Sequence, residues 1–504
     1  MIKLQTPDQA AQWLRTHVQG TLQTDSRKVR AGDGFIAWPG AATDGRQYVT
    51  SALAQGAAAC VVEQVGVDGY RFESAQVAAY AGLKAASGPI AAAYYEQPSQ
   101  QLDVIAVTGT NGKTSTTWWL AQALSALQPA MPCGLVGTLG IGSAPRVGEV
   151  NNVVSTGLTT PDPVLLQQTF RRFVAEGMVA CAIEASSIGI EEQRLEGTQI
   201  RTAVFTNFTQ DHLDYHGSMA AYWQAKASLF DWPGLRAAVV NIDDEKGVEL
   251  AEQLADRPLA LWTVSCKDAA RLRADDIRFE GQGLRFTVCE GEARHELATQ
   301  VVGHYNVANL LGVIAAMRTL GVPLAAAVAA CHVLHPVPGR MECLGGGEQP
   351  LVVVDYAHTP DALAQALLAL RPLAEQRGGQ LWCVFGCGGD RDPIKRPLMG
   401  AMAGQYADQV VLTNDNPRNE KPEAILSQIL LGLEGCGAVS VQSDRAQAIA
   451  ETVRQAAARD VVLVAGKGHE DYQEAAGLRT PFSDRIEVQR ALQARAAAVE
   501  GASA

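Results

Sequence analysis

The run Val107-Thr108-Gly109-Thr110-Asn111-Gly112-Lys113-Thr114-Ser115 carries the clearest chemistry in this chain. It follows an apolar stretch, 104–107, and precedes a helix-like segment, 116–127. Strand, glycine turn, Lys-Thr, helix is the grammar of a phosphate-binding loop. Backbone N–H groups freed by the glycines wrap phosphate oxygens. The Lys113 ammonium can sit between the outer phosphates, and the Thr114 hydroxyl can hold Mg²⁺. The common loop has glycine at its first position, where this chain has Val107. The variant points to a narrower set of nucleotide enzymes.

Two further clusters follow strands. The apolar run 179–183 ends in Glu184, whose carboxylate can share the Thr114 Mg²⁺ or cap the next helix. Beside a phosphate loop, the metal reading is favoured. The strand 202–205 leads into Thr-Asn-Phe-Thr-Gln-Asp-His-Leu-Asp-Tyr-His-Gly, 206–217. Histidines and acids this dense suggest more than loop filler. His212 is a candidate second-metal ligand, and His216 is expected to be structural, bonding a backbone carbonyl. Lys226 lies in a stretch of helical spacing, 222–230, and by itself reads as a solvated face.

These motifs need a scaffold. The length, 504 residues, suits about three domains of roughly 150 residues. A formal net charge of −12 leaves no basic excess for a nucleic-acid partner. The ten cysteines include no CxxC pair and read as reduced, buried thiols; Cys383 and Cys387 should line a strand and its end. The polar N-terminus is unlike a signal peptide, and no apolar run is long enough to span a bilayer, so a cytoplasmic location and no membrane partner are expected. Strands at 104–107, 179–183, 202–205 and 237–241 alternate with helical stretches, which argues for a doubly wound, mainly parallel sheet. The segment 277–298 reads as a β meander. The turn at 97–99 and the stretch Pro336-Val337-Pro338-Gly339-Arg340 mark boundaries. The expected domains are 1–98, 99–337 and 338–504. The first has short apolar pieces at 34–38 and 57–62 and an Ala-rich helical stretch at 76–86. The last is a second, Rossmann-like α/β unit with strands at 351–354, 381–385, 409–412 and 461–464. The Ala-rich tail after Leu492 is expected to fray.

The ordered set G-T-N-G-K-T (109–114), E-x-S-S (184–187), T-N-x-x-x-D-H-L-D-Y-H-G (206–217) and Ala225-Lys226 resembles the Mur ligases. These are ATP-dependent amino-acid-adding enzymes of peptidoglycan synthesis. The likeness continues through G-H-Y-N-V-A-N (303–309), P-G-R-M-E (338–342) and D-Y-A-H-T-P (355–360), and so covers nearly the whole chain. Asp25-Ser26-Arg27, G-C-G-G-D-R-D (386–392), D-N-P-R (415–418) and G-K-G-H-E (466–470) resemble the branch that joins a diamino acid to UDP-N-acetylmuramoyl-L-alanyl-D-glutamate. D-N-P-R resembles the subgroup that adds meso-2,6-diaminopimelate. Diaminopimelate has a distal carboxylate that lysine lacks, and an arginine fork reads a carboxylate through two parallel hydrogen bonds. The chain departs from the family at Ile188, where many members have histidine, and at Glu192, where many have glutamine.

The resemblance implies an acyl-phosphate route: the D-glutamyl carboxylate attacks the γ-phosphate of ATP, and the amine of diaminopimelate displaces phosphate. It implies catalytic roles for Lys113, Glu184, His212 and Lys226. It implies ATP contacts from Gly109, Thr110, Asn111, Gly112, Lys113, Thr114, Ser115, Asn306 and Arg340, with His304, Asp355 and His358 as weaker candidates. Asn306 and Asn309 could equally stabilise a helix start. Muropeptide-nucleotide contacts are expected from Thr24, Ser26, Thr159, Thr160, Ser186, Glu192 and Arg194. The amino-acid pocket is expected at Arg391, Asp415, Asn416, Pro417, Arg418, Gly466 and Glu470. Mg²⁺ is expected at Thr114, Glu184 and His212, with Lys226 aligning to a lysine that is carbamylated in this family and thereby able to act toward a metal like a carboxylate. The resemblance also implies a small N-terminal uridine-nucleotide domain, and a monomer is expected. The alternatives are a lysine-adding or folylpolyglutamate-type ligase, a small-molecule kinase, or a non-enzymatic nucleotide-binding scaffold.

Overall fold

The computed structural model describes residues 1–40, 43–72, 75–145, 152–280 and 283–503. Three separate sheets organise them. The first contains β1 (Ile2–Leu4), β2 (Leu22–Gln23), β3 (Gly34–Ala37), β4 (Ala59–Glu63) and β5 (Val77–Tyr80), all parallel, in the order β1-β5-β4-β3-β2. The Ala-rich stretch 76–86, expected to be helical, instead gives β5 and only then the helix Leu83–Tyr94. The reason is position: β5 lies between two strands with all four of its residues buried, and that pairing overrides the helical preference of its alanines.

The second sheet has ten strands: β6 (Asp103–Thr108), β7 (Cys133–Gly137), β8 (Gly140–Gly142), β9 (Ala180–Glu184), β10 (Thr202–Phe205), β11 (Ala237–Asn241), β12 (Ala260–Ser265), β13 (Leu272–Glu280), β14 (Gly283–Glu290) and β15 (Ala293–Thr299). Their order is β15-β14-β13-β12-β11-β10-β6-β9-β7-β8. Every pairing from β13 to β7 is parallel; β13-β14-β15 form the antiparallel meander at one edge. The chain winds outward in opposite directions from β6, which places the switch point there, at the carboxyl ends of β6, β9 and β10. Register puts Val107 beside Glu184 and Thr108 beside Phe205, so the loops after these strands leave from one level.

The helix Lys113–Ala126 carries almost no polar face because it packs between this sheet and the helix Tyr305–Thr319, which is apolar on all sides for the same reason. Each face of the sheet has its own core, one built around Trp118, Trp119 and Ile314, the other around Phe170, Phe173 and Phe230.

The third sheet contains β16 (Glu342–Gly345), β17 (Leu351–Asp355), β18 (Leu381–Phe385), β19 (Gln409–Leu412), β20 (Val439–Val441) and β21 (Val461–Ala465), ordered β16-β17-β21-β18-β19-β20. Only β16 is antiparallel to its neighbour. A hairpin, β22 (Tyr472–Ala475) with β23 (Leu478–Pro481), follows, and the helix Asp484–Ser503 closes the chain. That helix continues through the Ala-rich tail expected to fray, anchored by Val488 and Leu492. Arg445 and Asp484, both fully buried, pair through two bonds of 2.7 and 2.8 Å. The same guanidinium donates to the carbonyls of Asn414 and Ala465, tying together the ends of β19 and β21. Between the second and third sheets, Gly339 (φ 63°) lies backbone to backbone against Gly468 and His469, and a Cβ there would overlap the His469 nitrogen.

Candidate active site

The phosphate loop is shaped by its glycines. Gly109 (φ 143°) and Gly112 (φ 84°) adopt backbone that L side chains rarely take. A Cβ on Gly109 would overlap Thr206 Oγ1, and one on Gly112 would overlap Asn309 Oδ1. The loop is held from β10's side: Asn111 N–H donates to Asn207 Oδ1 at 2.9 Å, and Thr110 N–H donates to the Asn207 carbonyl at 2.8 Å. Ser115 is buried in the first turn of the helix behind it.

Two lysines converge on this loop. Lys113 Nζ donates to the Gly109 and Thr110 carbonyls at 2.9 and 2.8 Å. Lys226 Nζ donates to the same Gly109 carbonyl at 2.7 Å. Lys226 is 1% exposed, far from the solvated face its own spacing suggested, and its Nζ lies 4.4 Å from the centre of the Tyr222 ring. Burial, and then repulsion from Lys113, hold its pKa well below the lysine range. Burial also lowers Lys113, with Glu184 and Asp211 pulling the other way.

Glu184, 1% exposed, is gripped at the end of β9. It accepts from Thr114 Oγ1 at 3.0 Å, Thr138 N–H at 2.7 Å and Thr138 Oγ1 at 3.1 Å. It therefore faces the phosphate-loop hydroxyl and does not cap a helix. Thr159 Oγ1 lies 3.1 Å from Thr138 Oγ1, so it joins the same network. Thr160 Oγ1 donates to the Glu184 carbonyl and lies 2.9 Å from Ser186 Oγ, which caps the short helix Ser187–Glu191. Arg194 donates to the Thr160 carbonyl at 3.0 Å.

His212 (φ 52°) sits at the start of the helix Leu213–His216, its Nε2 3.5 Å from Asp211. Burial lowers its pKa, with Asp211 opposing and both lysines reinforcing. Burial would raise Asp211, yet His212 and His358 hold it low. Among the described residues no group of three or more His, Cys, Asp or Glu side chains forms a metal cage. His216 bonds Ser187 Oγ at 3.0 Å and lies 2.9 Å from Glu191, not against the backbone carbonyl expected for it; the short helix 187–191 brings those side chains to its ring. Glu192 pairs with Lys84 of the first sheet's unit at 2.7 Å and accepts from Tyr215 OH at 2.7 Å, and these partners lower its pKa.

A cleft of about 1080 Å³ opens between the second and third sheets. One wall carries Thr138, Thr159, Ser186, Arg194 and the segment 210–215. The other carries Gly388, Arg391, Asp415, Asn416, Arg418 and Glu470. Arg391 is exposed at the rim. Asn416 is nearly buried; its amide donates to Glu470 Oε2 at 2.8 Å. The fully buried Lys467 bonds Asn416 Oδ1 and Glu470 Oε2, both at 3.0 Å. Gly466 (φ 115°) lies so close to Asp415 that a Cβ would crowd its carboxylate, at 2.5 Å. Arg418 (φ 50°), which follows Pro417, donates through one Nη to the Gly389 carbonyl at 2.8 Å, and its Nε lies 4.0 Å from Glu474.

Of the other candidates His358 also lines the cleft, and the rest sit apart from it. Thr24 bonds the carboxyl of Asp162, which burial raises, while Ser26 begins a short 3₁₀ turn beside the exposed Asp25–Arg27 pair. Asn306 donates to the Val302 carbonyl and accepts from Asn309 at 2.9 Å, the helix-start arrangement. His304 precedes that helix. Arg340 lies over the Tyr356 ring at 4.2 Å. Asp355 accepts from the Met341 and Ala357 N–H groups, and burial raises its pKa. His358 bonds the Tyr356 carbonyl through Nδ1, and burial pushes its pKa down to about 4. Sequence reasoning assigned nothing to Lys467, Asp211, Asp361 or Arg396. Asp361 reaches across the cleft to Asn111 at 3.2 Å. Only the first two had a signal, standing inside quoted motifs.

Known proteins place this geometry. The Mur ligase middle domain matches residues 107–317, the Mur ligase glutamate ligase domain 339–468, and the Mur ligase family catalytic domain 20–95. A UDP-N-acetylmuramoyl-L-alanyl-D-glutamate--2,6-diaminopimelate ligase of Acidovorax sp. (strain JS42) is 60% identical, covering 98% of each chain. The protein of that name from Janthinobacterium sp. (strain Marseille) is 48% identical over 97% of each. A solved structure of an enzyme with the same name is 36% identical, with a TM-score of 0.64, covering 94% of this chain and 95% of its own. The ordered loop, acid and lysine motifs, the three-sheet α/β fold and these likenesses converge: the chain belongs to the Mur ligase family.

Proposed function

We propose that this protein is an ATP-dependent ligase that joins meso-2,6-diaminopimelate to the D-glutamate γ-carboxylate of UDP-N-acetylmuramoyl-L-alanyl-D-glutamate through an acyl phosphate, in cytoplasmic peptidoglycan precursor synthesis. The observation that carries this reading is the cleft. A carboxylate-activating edge, with Glu184 and the phosphate loop behind it, faces a wall bearing Arg391, Arg418 and Glu470.

In this reading residues 1–98 hold the uridine nucleotide, with Thr24 and Ser26 among its contacts. Residues 99–337 activate the carboxylate, and residues 338–504 deliver the amino acid. The loop N–H groups of 109–115 and Lys113 hold the ATP phosphates. Thr159, Thr160, Ser186, Glu192 and Arg194 orient the muramoyl dipeptide. Asn306 and Arg340 flank the nucleotide. Arg418 reads the distal carboxylate of diaminopimelate and Arg391 the second one, while Asp415 and Glu470 pair with ammonium groups. Asn416, Pro417 and Gly466 fix the pocket's backbone. No described helix is long and apolar enough to cross a membrane, and a monomer acting on small molecules is the simplest assembly.

Mg²⁺ suits the residues present: the Thr114 hydroxyl and Glu184 carboxylate offer hard oxygens, and this cation takes one or two carboxylates plus substrate phosphates. His212, whose pKa burial lowers, has in its neutral form a lone pair for a second cation. Bound there, the cations would offset the repulsion between carboxylate and phosphate. Lys226 is a buried amine biased to its neutral form, the form that adds CO₂, and the carbamate would face the Lys113 ammonium.

The test mixes protein, ATP, Mg²⁺ and the muramoyl dipeptide nucleotide with diaminopimelate, lysine or no amino acid, and records phosphate release and product mass. A diaminopimelate product with stoichiometric ADP is expected. Equal efficiency with lysine would sink the specificity, and a phosphorylated end product would favour a kinase.

A further inference from the structure

The arginines of the amino-acid wall stand on two different loops. Arg391 follows β18 in the segment 386–392, and Arg418 follows β19 in the segment 413–420. A pocket that must read two carboxylates at once needs those loops in fixed register. Some of the register centres on Gly389: its N–H donates to the Asn416 carbonyl at 2.9 Å, and the Arg418 guanidinium donates to its carbonyl. The Asn419 amide adds a cross-link at the exposed edge, donating to Asp390 Oδ2 at 2.7 Å, and the buried part of the register converges on one side chain.

Arg396, in the helix Lys395–Tyr406, is 1% exposed and does not line the cleft. One Nη donates to Glu420 Oε2 at 2.8 Å and to Gln428 Oε1 at 2.7 Å. The other donates to Glu420 Oε1 at 2.7 Å and to the Gly388 carbonyl at 3.2 Å. Glu420 Oε1 also accepts the Asp390 N–H at 2.6 Å. The planar fork therefore touches the first loop at Gly388 and the second at Glu420, and Glu420 returns to the first at Asp390. All but its Nε is spent on these contacts, and Nε is buried without a partner among the described residues.

We propose that Arg396 is a positioning residue for the amino-acid pocket: with Glu420 it clamps the two loops so that Arg391 and Arg418 stand at the spacing that the carboxylates of diaminopimelate require. Lysine in its place would keep the charge but cannot span the carboxylate and the carbonyl as a planar fork does. Glu420 is one-third exposed, so its removal tests the clamp without emptying the core. The inference rests on the diaminopimelate-ligase reading.

The experiment is steady-state kinetics of Arg396→Lys and Glu420→Gln in the full chain, with each of the three substrates varied in turn and circular dichroism as the control for folding. Loss of charge-assisted bonds should raise the KM for diaminopimelate about 10- to 100-fold in Arg396→Lys, and less in Glu420→Gln. The KM values for ATP and the muramoyl nucleotide should stay within about twofold, and the preference for diaminopimelate over lysine should fall. A purely structural role would move all three KM values together, and that result overturns the proposal. So does an unchanged KM for diaminopimelate in either folded variant; if Arg396→Lys is insoluble, Glu420→Gln decides. Wild-type protein that makes no diaminopimelate product would overturn the functional reading itself and the clamp with it.

Discussion

Lys226→Met should give a protein that is inactive yet, in CO₂-free buffer, more stable than wild type at neutral pH. The side chain is 1% exposed, its ammonium bonds a single carbonyl, and Lys113 shares that carbonyl. In the unfolded chain a lysine titrates near 10.5; in the fold Lys226 titrates well below this, because burial and Lys113 both disfavour the charge. Between those two midpoints the unfolded state binds a proton that the native state does not, so stability rises with pH and acidification favours unfolding. Each pH unit in that window is worth about 1.4 kcal/mol. Methionine fills a similar volume and forgoes the 2.7 Å bond to Gly109, a loss of about 1 kcal/mol. The gain from substitution should therefore be greatest at low pH and should shrink by about 1.4 kcal/mol per unit as pH rises toward the free-lysine value. The assay is urea unfolding from pH 7 to pH 10, followed by the fluorescence of Trp118, Trp119, Trp223, Trp232 and Trp262, all in the central unit. Added bicarbonate should stabilise wild type alone, since a ligand of the native state adds its binding free energy to stability. A difference between the two proteins that is flat across this pH range would show that Lys226 keeps its ordinary protonation in the fold, and the argument for a CO₂-reactive amine would fall with it.

Three other outcomes can be checked directly. Gly112→Ala should abolish ATP-dependent turnover, because the new Cβ meets Asn309 at a residue with φ of 84°; nucleotide binding by calorimetry would locate the defect, and near-normal affinity would refute it. Arg418→Lys should raise the KM for diaminopimelate by about tenfold or more while leaving that for ATP alone, as one bidentate carboxylate contact is lost; an unchanged value would exclude Arg418 from the pocket. Asp484→Asn leaves the fully buried Arg445 charge without its partner and should cost about 3–5 kcal/mol, read as earlier urea unfolding of the C-terminal unit by Trp382 fluorescence.

Much of this was legible from residue types alone. The strands 202–205, 237–241, 381–385 and 409–412 coincide with runs of apolar residues, because a parallel strand buried on both faces leaves no alternation to misread. The phosphate loop was legible because its glycines answer to a backbone requirement. Other features depend on neighbours far away in the chain. Residues 77–80 have helix-forming alanines and become a strand only because β1 and β4 flank them. Lys226 reads as a surface lysine until the helix Met219–Ala227 turns it onto a carbonyl more than a hundred residues earlier. Arg396 sits in an ordinary charged stretch, and nothing local marks it as a side chain that joins two loops.

Gly339 carries a mechanical consequence. The chain crosses from the second sheet to the third in the stretch 336–340, yet at Gly339 its backbone is already seated against Gly468 and His469, and Arg340 lies on Tyr356. The seat belongs to the C-terminal unit, so Gly339 and Arg340 travel with it. Any swing of that unit must pivot upstream, near Pro336–Pro338, where prolines restrict the torsions that can turn. A stiff axle placed there leaves Arg340, close to the axis, nearly still, while parts of the unit farther from it move through longer arcs.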